Sequence, residues 1–192
     1  MTFGVSVTNL SKVMKLANND DIITLKAEDD PSFLTIIFEN RKQEKKTEFN
    51  LNLITLDSEH LGIPDTQYTS EIMMNSLEFS KLIKELNLLS ETVTVETTVD
   101  YVRFSIDGEV GSGCVQIQTN DTGEGDDKPV KSDDIVSLSF ALRYLNMFNK
   151  ACTLTNSVKL MMAQETPLVV EFDIDSHGSI KYYLAPKINE GN

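Results

Sequence analysis

The chain has 192 residues, 40% of them hydrophobic and 24% charged, ordinary proportions for one or two globular domains with a sizeable core. Thirty acids against 17 bases leave a net charge of −13, which taken alone argues against nucleic acid, because phosphate binding needs cations. A total says nothing of where the bases sit, however. The chain has no apolar run of about 18 residues that would cross a bilayer. Its opening stretch, MTFGVSVTNLSKVMK, has none of the three regions of a secretory leader. Two cysteines, Cys114 and Cys152, form no disulfide framework and suit a reducing compartment as small buried residues.

Taken in order, the elements repeat. A short strand, an amphipathic helix of about three turns and a run of strands recur three times. The first copy opens on alternating Phe3, Val5 and Val7. A helix over Thr8 to Asn18 and strands Ile22–Ala27, Phe33–Glu39 and Thr47–Ile54 follow. The second opens at Glu71–Met74, with a helix over Leu77–Leu89 and strands Thr92–Thr97, Val102–Ile106 and Cys114–Thr119. The third opens at Ile135–Ser139, with a helix to Ala151 and strands Val158–Ala163, Leu168–Asp173 and Ile180–Leu184. Asp29-Asp30-Pro31, Asp107-Gly108 and His177-Gly178 mark turns between strands.

The three helices agree in phase. Leu10, Val13, Met14 and Ala17 form one apolar face, as do Phe79, Leu82, Ile83 and Leu86, and then Ala141, Tyr144, Leu145 and Phe148. The opposite faces carry Lys12 and Lys15, Lys81 and Lys84, then Arg143 and Asn146, with Lys150 extending the last stripe. Lysine on an exposed helix face is commonplace. Three helices in register in so acidic a chain instead predict helices side by side on one face of a sheet, their cations sharing a surface. With no interleaved aromatics or glycine-rich loop, that surface suits a duplex backbone and reads phosphates rather than sequence.

Between the first two copies, Leu56 to Tyr68 is a polar crossing segment in which Leu61, Ile63 and Pro64 are apolar. Such residues are hidden in a core or presented to a partner, and composition leaves both open. After the last strand, Tyr182-Tyr183-Leu184-Ala185-Pro186-Lys187-Ile188 runs into an extended tail, an edge on which another chain could lie. Other signals carry little. Asp20-Asp21 and Asp133-Asp134 are paired carboxylates with nothing to bring them together as a two-metal site. The loop 120–134 is acidic but lacks the twelfth-position glutamate of a calcium loop. His60 and His177 have no nucleophile context. Gly111-Ser112-Gly113 has no strand–loop–helix setting and reads as a turn.

Leu61-Gly62-Ile63-Pro64, Phe140-Ala141-Leu142-Arg143-Tyr144-Leu145, Pro167-Leu168-Val169-Val170-Glu171 and Tyr182-Tyr183-Leu184-Ala185-Pro186-Lys187-Ile188 resemble the proliferating cell nuclear antigen family of eukaryotic sliding clamps. Asp21-Ile22-Ile23-Thr24-Leu25 and Leu56-Asp57 with Glu59 fit it too, so the likeness spans essentially the whole chain. The resemblance implies an α+β DNA-clamp (processivity) fold of repeated β-α-β-β-β units, with sheets outside and helices lining the inner face. It implies no catalysis, no cofactor and no metal. It implies a nuclear homotrimer around duplex DNA that serves DNA polymerases, is opened by a clamp loader and docks replication and repair proteins through short peptides. No membrane is involved.

Carried over residue by residue, the resemblance makes Lys12, Lys15, Lys81, Lys84, Arg143 and Lys150 DNA-facing. Leu61, Gly62, Ile63 and Pro64, with Pro167, Tyr183, Leu184, Ala185, Pro186 and Ile188, become the partner-peptide site. Phe49 and Leu51 on the strand 46–52, with Val110, Val115 and Ile117 on and beside the strand 114–119, become the subunit interface. Residues 1–54 read as the second half of a first clamp domain, 55–69 as the connector and 70–192 as a second clamp domain. Set against the family, the opening unit is absent, so the other reading is a shortened clamp that only binds partner proteins. Val99 stands where the family carries a lysine modified by ubiquitin or its relatives, which argues against such signalling here.

Overall fold

The structure, a computed structural model, describes residues 3–29, 31–40, 42, 44–55, 62, 66–118, 130–132 and 134–188. They fall into two compact units, Met1–Ile63 and Pro64–Asn192.

In the first unit, helix α1 (Val7–Met14) begins at Ser6, whose hydroxyl accepts the Asn9 N–H. It stops well before the expected Asn18, because Leu16 and Ala17 bond to carbonyls three residues back and tighten the last turn. Asp21 then secures the exit, accepting from the Asn18 N–H at 2.9 Å and the Asn40 side-chain amide at 2.8 Å. These bonds, the Asn18 N–H first, hold its carboxyl below the usual carboxylate range. Strands β1 (Ile22–Lys26), β2 (Phe33–Asn40) and β3 (Lys45–Asn52) form an antiparallel meander. Alternation turns Leu34, Ile36 and Phe38 inward with Leu51, and Leu10, Val13 and Ala17 pack onto them. Met14, 36% exposed, does not join that core.

The second unit holds strand β4 (Ser70–Asn75), helix α2 (Ser76–Leu89), β5 (Thr92–Thr97), β6 (Tyr101–Gly108) and β7 (Gly111–Gln118). Then come β8 (Val130–Ser132), β9 (Val136–Ala141), helix α3 (Leu142–Phe148), a 3₁₀ turn over Asn149–Thr153, β10 (Ser157–Met162), β11 (Leu168–Asp173) and β12 (Ser179–Leu184). The strands form two antiparallel sheets, in the orders β12-β11-β10-β4-β8 and β7-β6-β5-β9. Their inward residues, among them Phe104, Phe140, Leu160 and Phe172, bury a common core with Phe79, Ile83 and Leu145 of the helices. A row of alternating charge crosses the larger sheet, with Lys159 on Glu71 at 2.7 Å and Lys181 on Glu171 at 3.2 Å.

Each β-α-β-β-β copy in this unit lends its first strand to the other. β4 pairs with β10, and β9 pairs with β5. The first helical residues repeat the exchange: the Ser76 N–H donates to the Asn156 carbonyl and the Leu142 N–H to the Glu91 carbonyl. Beyond β12 the chain crosses to β9, where the Lys187 N–H meets the Ser139 carbonyl at 2.7 Å.

The units share an aromatic signature. Phe38 meets Phe49 edge to face at 6.4 Å, and Phe172 meets Tyr182 likewise at 6.1 Å. Each pair bridges the middle and last strands of its meander, which sets the two meanders in the same register.

Other departures from the sequence reading are local. The strand β8 lies in what reads as a wholly polar loop, since three residues are too few for an alternating pattern. Helix α3 buries Leu142 and Leu145 and leaves Tyr144 exposed, because the helix starts only at Leu142. The β6–β7 turn falls on Glu109-Val110 rather than Asp107-Gly108, with Gly108 still paired to Gly111 in the ladder.

Gly108 also passes beneath the end of α2, where an added Cβ would lie 2.7 Å from the Leu89 carbonyl oxygen. Backbone on both sides cannot yield cheaply, so Gly108→Ala is expected to destabilise the fold by about 1–3 kcal/mol. Thermal unfolding followed by circular dichroism checks this; an unchanged midpoint contradicts it.

Candidate functional site

Helices α2 and α3 lie against each other, joined where the Asn149 side-chain amide donates to the Ser80 carbonyl at 3.4 Å. Their shared apolar flank is spent on the core, so Lys81, Lys84, Arg143 and Lys150 are left exposed on the outer flank. On α1, Lys12 is exposed, and Lys15 is exposed just beyond the last turn. Lys81 leans toward Glu85 one turn on at 3.9 Å, a weak surface pair. Among the described residues no acid pairs with Lys12, Lys15, Lys84, Arg143 or Lys150. The Arg143 guanidinium lies 4.6 Å from the Tyr144 ring centre and donates to the Tyr144 hydroxyl at 2.9 Å. Exposed Tyr144 thus holds the arginine outward instead of filling the core. The arrangement offers fixed positive charge and no reactive group.

Two strand edges carry the other candidate residues. β3 closes one side of its meander and β7 one side of the four-stranded sheet. On β3, Phe49 and Leu51 turn into their own core, so that strand offers its backbone edge rather than those side chains. On β7, Val115 is exposed while Ile117 packs on the core, and Val110 stands at the hairpin tip. Gly111 to Cys114 bring almost no side-chain bulk to the strand, which leaves its ladder groups accessible.

Of the partner-peptide residues, Leu61, Ile63 and Pro64 lie outside the described residues, and Gly62 is exposed. Pro167, Tyr183, Leu184, Ala185, Pro186 and Ile188 are described. Leu184 is buried, Tyr183, Ala185 and Ile188 are exposed, and Pro167 and Pro186 are half-buried. Tyr68 belongs with them and escaped the sequence reading. Burial, with Tyr183 beside it, pushes its hydroxyl pKa up. Its only signal was an aromatic residue closing a polar segment.

The remaining acids and histidines do not assemble. Asp20 sits on Lys42 at 3.0 Å, Asp21 is engaged by Asn18 and Asn40, and His177 lies exposed in a turn. Asp133, His60 and residues 119–129 lie outside the described residues. Among the described residues no group of three potential metal ligands occurs, and no helix is long and apolar enough to cross a membrane.

Comparison with known proteins covers nearly the whole chain. The profile described as proliferating cell nuclear antigen, N-terminal domain, matches residues 1–60. The corresponding C-terminal domain profile matches residues 62–187. The proliferating cell nuclear antigen of Chaetomium thermophilum is 42% identical over 195 residues, covering 99% of this chain and 74% of that relative.

The two thiols differ sharply. Cys152 is buried, and that burial pushes its pKa up, whereas Cys114 is exposed on β7. Only the thiolate reacts, so one thiol per folded chain should take up a maleimide at neutral pH. Peptide mapping should place it at Cys114, with Cys152 labelled only after denaturation. Prompt labelling of Cys152 in the folded protein contradicts this packing.

Proposed function

The chain belongs to the proliferating cell nuclear antigen family, the sliding clamps that act as processivity factors in DNA replication and repair, and from that premise we propose that it closes with like chains into a nuclear homotrimeric ring around duplex DNA. It has no catalytic role; it works by topology and by weak, sequence-independent attraction to phosphates. One observation supports this above the rest. A chain of net charge −13 places Lys81, Lys84, Arg143 and Lys150 together on the outer flank of two adjoining helices. Acids elsewhere keep the molecule soluble, while these cations face the duplex with Lys12 and Lys15.

The edges of β3 and β7 close the ring by main-chain pairing, with Val110 and Val115 at the joint and Phe49, Leu51 and Ile117 backing it from the cores. A clamp loader opens that joint. Polymerases and repair proteins dock short peptides through Leu61, Gly62, Ile63 and Pro64 and through Pro167, Tyr183, Leu184, Ala185, Pro186 and Ile188, with Tyr68 beside Tyr183. Anchoring of this kind concentrates its energy in a few apolar contacts. Residues 1–54 serve as part of a first clamp domain, 55–69 as connector and 70–192 as a second domain. A second reading is an interaction module that binds such peptides at the margin of Tyr183 and Ile188 without closing on DNA.

Replacing Lys12, Lys81 and Arg143 together with alanine tests the phosphate contacts. DNA association should weaken at low salt with the fold intact. Each lost phosphate contact should reduce the slope of log K against log salt by about 0.9. Unchanged affinity and slope would sink the assignment. Val115→Pro tests the joint, because proline removes a donor from a paired strand. Its assembly should be smaller than the parent's by light scattering; an unaltered mass favours the interaction module.

A further inference from the structure

The cationic flank of the second unit is not purely polar. On α2, Leu77 and Leu88 share one side with Lys81 and Lys84, at intervals of four, three and four residues. Those intervals return to the same side of a helix at about 100° per residue. They recur from α3 through its 3₁₀ turn as Arg143, Met147, Lys150 and Leu154. The apolar members stand in water: Leu77 is 67% exposed, Leu88 82%, Met147 59% and Leu154 52%. Single exposed leucines are ordinary. Four large apolar side chains interleaved with cations on one flank form a patterned surface, and a phosphate makes no use of them.

The two helices run antiparallel, which orders that pattern in space. The start of α2 lies by the chain leaving the 3₁₀ turn, where the Ser76 N–H donates to the Asn156 carbonyl at 3.0 Å and its hydroxyl donates to the Thr155 carbonyl. The end of α2 lies by the start of α3, where the Leu142 N–H donates to the Glu91 carbonyl at 2.9 Å. Asn149 on Ser80 joins the two middles. Leu77 and Leu154 therefore stand at one end of the flank. Leu88 stands at the other, lining one groove with Arg143. Lys81, Lys84 and Lys150 come between. Among the described residues, Glu85 on Lys81 is the one acid paired with any of these cations.

We propose that this flank docks an acidic amphipathic helix of another protein, with carboxylates on the central lysines and a large apolar side chain at each end. Charge complementarity sets the sign of the partner, and the spacing sets its length. At roughly 1.5 Å of rise per residue, Leu77 to Leu88 spans about 17 Å, three turns. A helix laid along a helix pair presents its anchors at helical periodicity. The partner's face therefore mirrors α2: leucine, glutamate, glutamate and leucine at the same intervals. A duplex exterior satisfies the cations alone and leaves the leucines in water. An anionic membrane fits less well, because membrane-bound surfaces sink an apolar centre while lysines snorkel at its margin. Here the lysines are central and the leucines terminal. The inference rests on the reading of Lys81, Lys84, Arg143 and Lys150 as a ligand face and not on ring closure. The helix and the duplex exclude each other on that face.

The probe is a labelled synthetic helix with that leucine–glutamate–glutamate–leucine face and alanine and glutamine elsewhere, titrated into the full chain at low salt and followed by fluorescence anisotropy. Saturable binding is expected, and unlabelled duplex DNA should displace the peptide. Affinity should fall about tenfold or more for the Leu77→Ser/Leu154→Ser chain, and likewise for a peptide with glutamine in place of both glutamates. Because both leucines are exposed, that variant should keep the parent's thermal midpoint and its affinity for duplex. Lys81→Gln/Lys150→Gln should weaken both ligands. A parent that binds the peptide and not the duplex sinks the duplex reading and leaves this one standing. A parent that binds the duplex and not the peptide overturns the inference. So does a peptide that binds equally well without its glutamates or to the Leu77→Ser/Leu154→Ser chain, and the flank is then left to phosphates. Saturable capture by phosphatidylserine vesicles, lost in the same leucine variant while the peptide is ignored, would overturn it in favour of a membrane.

Discussion

The exchange of first strands between two β-α-β-β-β copies is the constraint on which the second unit rests. A three-stranded meander with one short helix has an open edge and a helix flank with nothing against it, and so few strands are marginal alone. Crossing β4 to β10 and β9 to β5 closes both edges at once. It also brings the helices together and gives the first N–H of each a carbonyl from the opposite copy. Buried backbone groups must find partners, so the crossed bonds determine which strands may neighbour which. The deep burial of Phe79, Ile83, Phe104, Phe140 and Phe172 follows from that arrangement.

The electrostatics are a consequence of the same packing. A helix that spends its apolar flank on the core has only its far flank for charge. Two helices packed together therefore direct Lys81, Lys84, Arg143 and Lys150 away from the core. Those groups are exposed and screened beyond about 8 Å at physiological salt. No single one would bind tightly, in keeping with the proposed ring, which holds its ligand by topology. Arg143 alone among them is stacked on an aromatic ring in the described residues, that of Tyr144.

The proposed recognition surfaces are sheet margins rather than a cavity. β7 illustrates why. Gly111, Ser112, Gly113 and Cys114 bring little to the core, while Ile117 farther along still packs inward. A strand relieved of core packing can present its ladder groups to another chain. Tyr68, Tyr183 and Ile188 similarly offer apolar surface where the last strand gives way to its tail.

Much of this was legible in the residues. The alternation of Leu34, Ile36 and Phe38 and the helical spacing of Phe79, Leu82, Ile83 and Leu86 are properties of a single segment. Each periodicity records which face will be dry. The cation stripes were legible for the same reason, since opposite faces of one helix are a matter of spacing. The motifs around Leu61, Arg143, Pro167 and Tyr183 pointed to the family without any coordinates. Tertiary structure alone decided which strand pairs with which, because β4 carries no local mark of its preference for β10 over β5. It alone decided that Tyr144 faces outward, that β8 forms at all, and that α1 stops at Met14, where competing hydrogen bonds rather than periodicity set the end. Side-chain chemistry is written along the chain, but burial depends on what lies opposite, and that is settled only when distant segments meet.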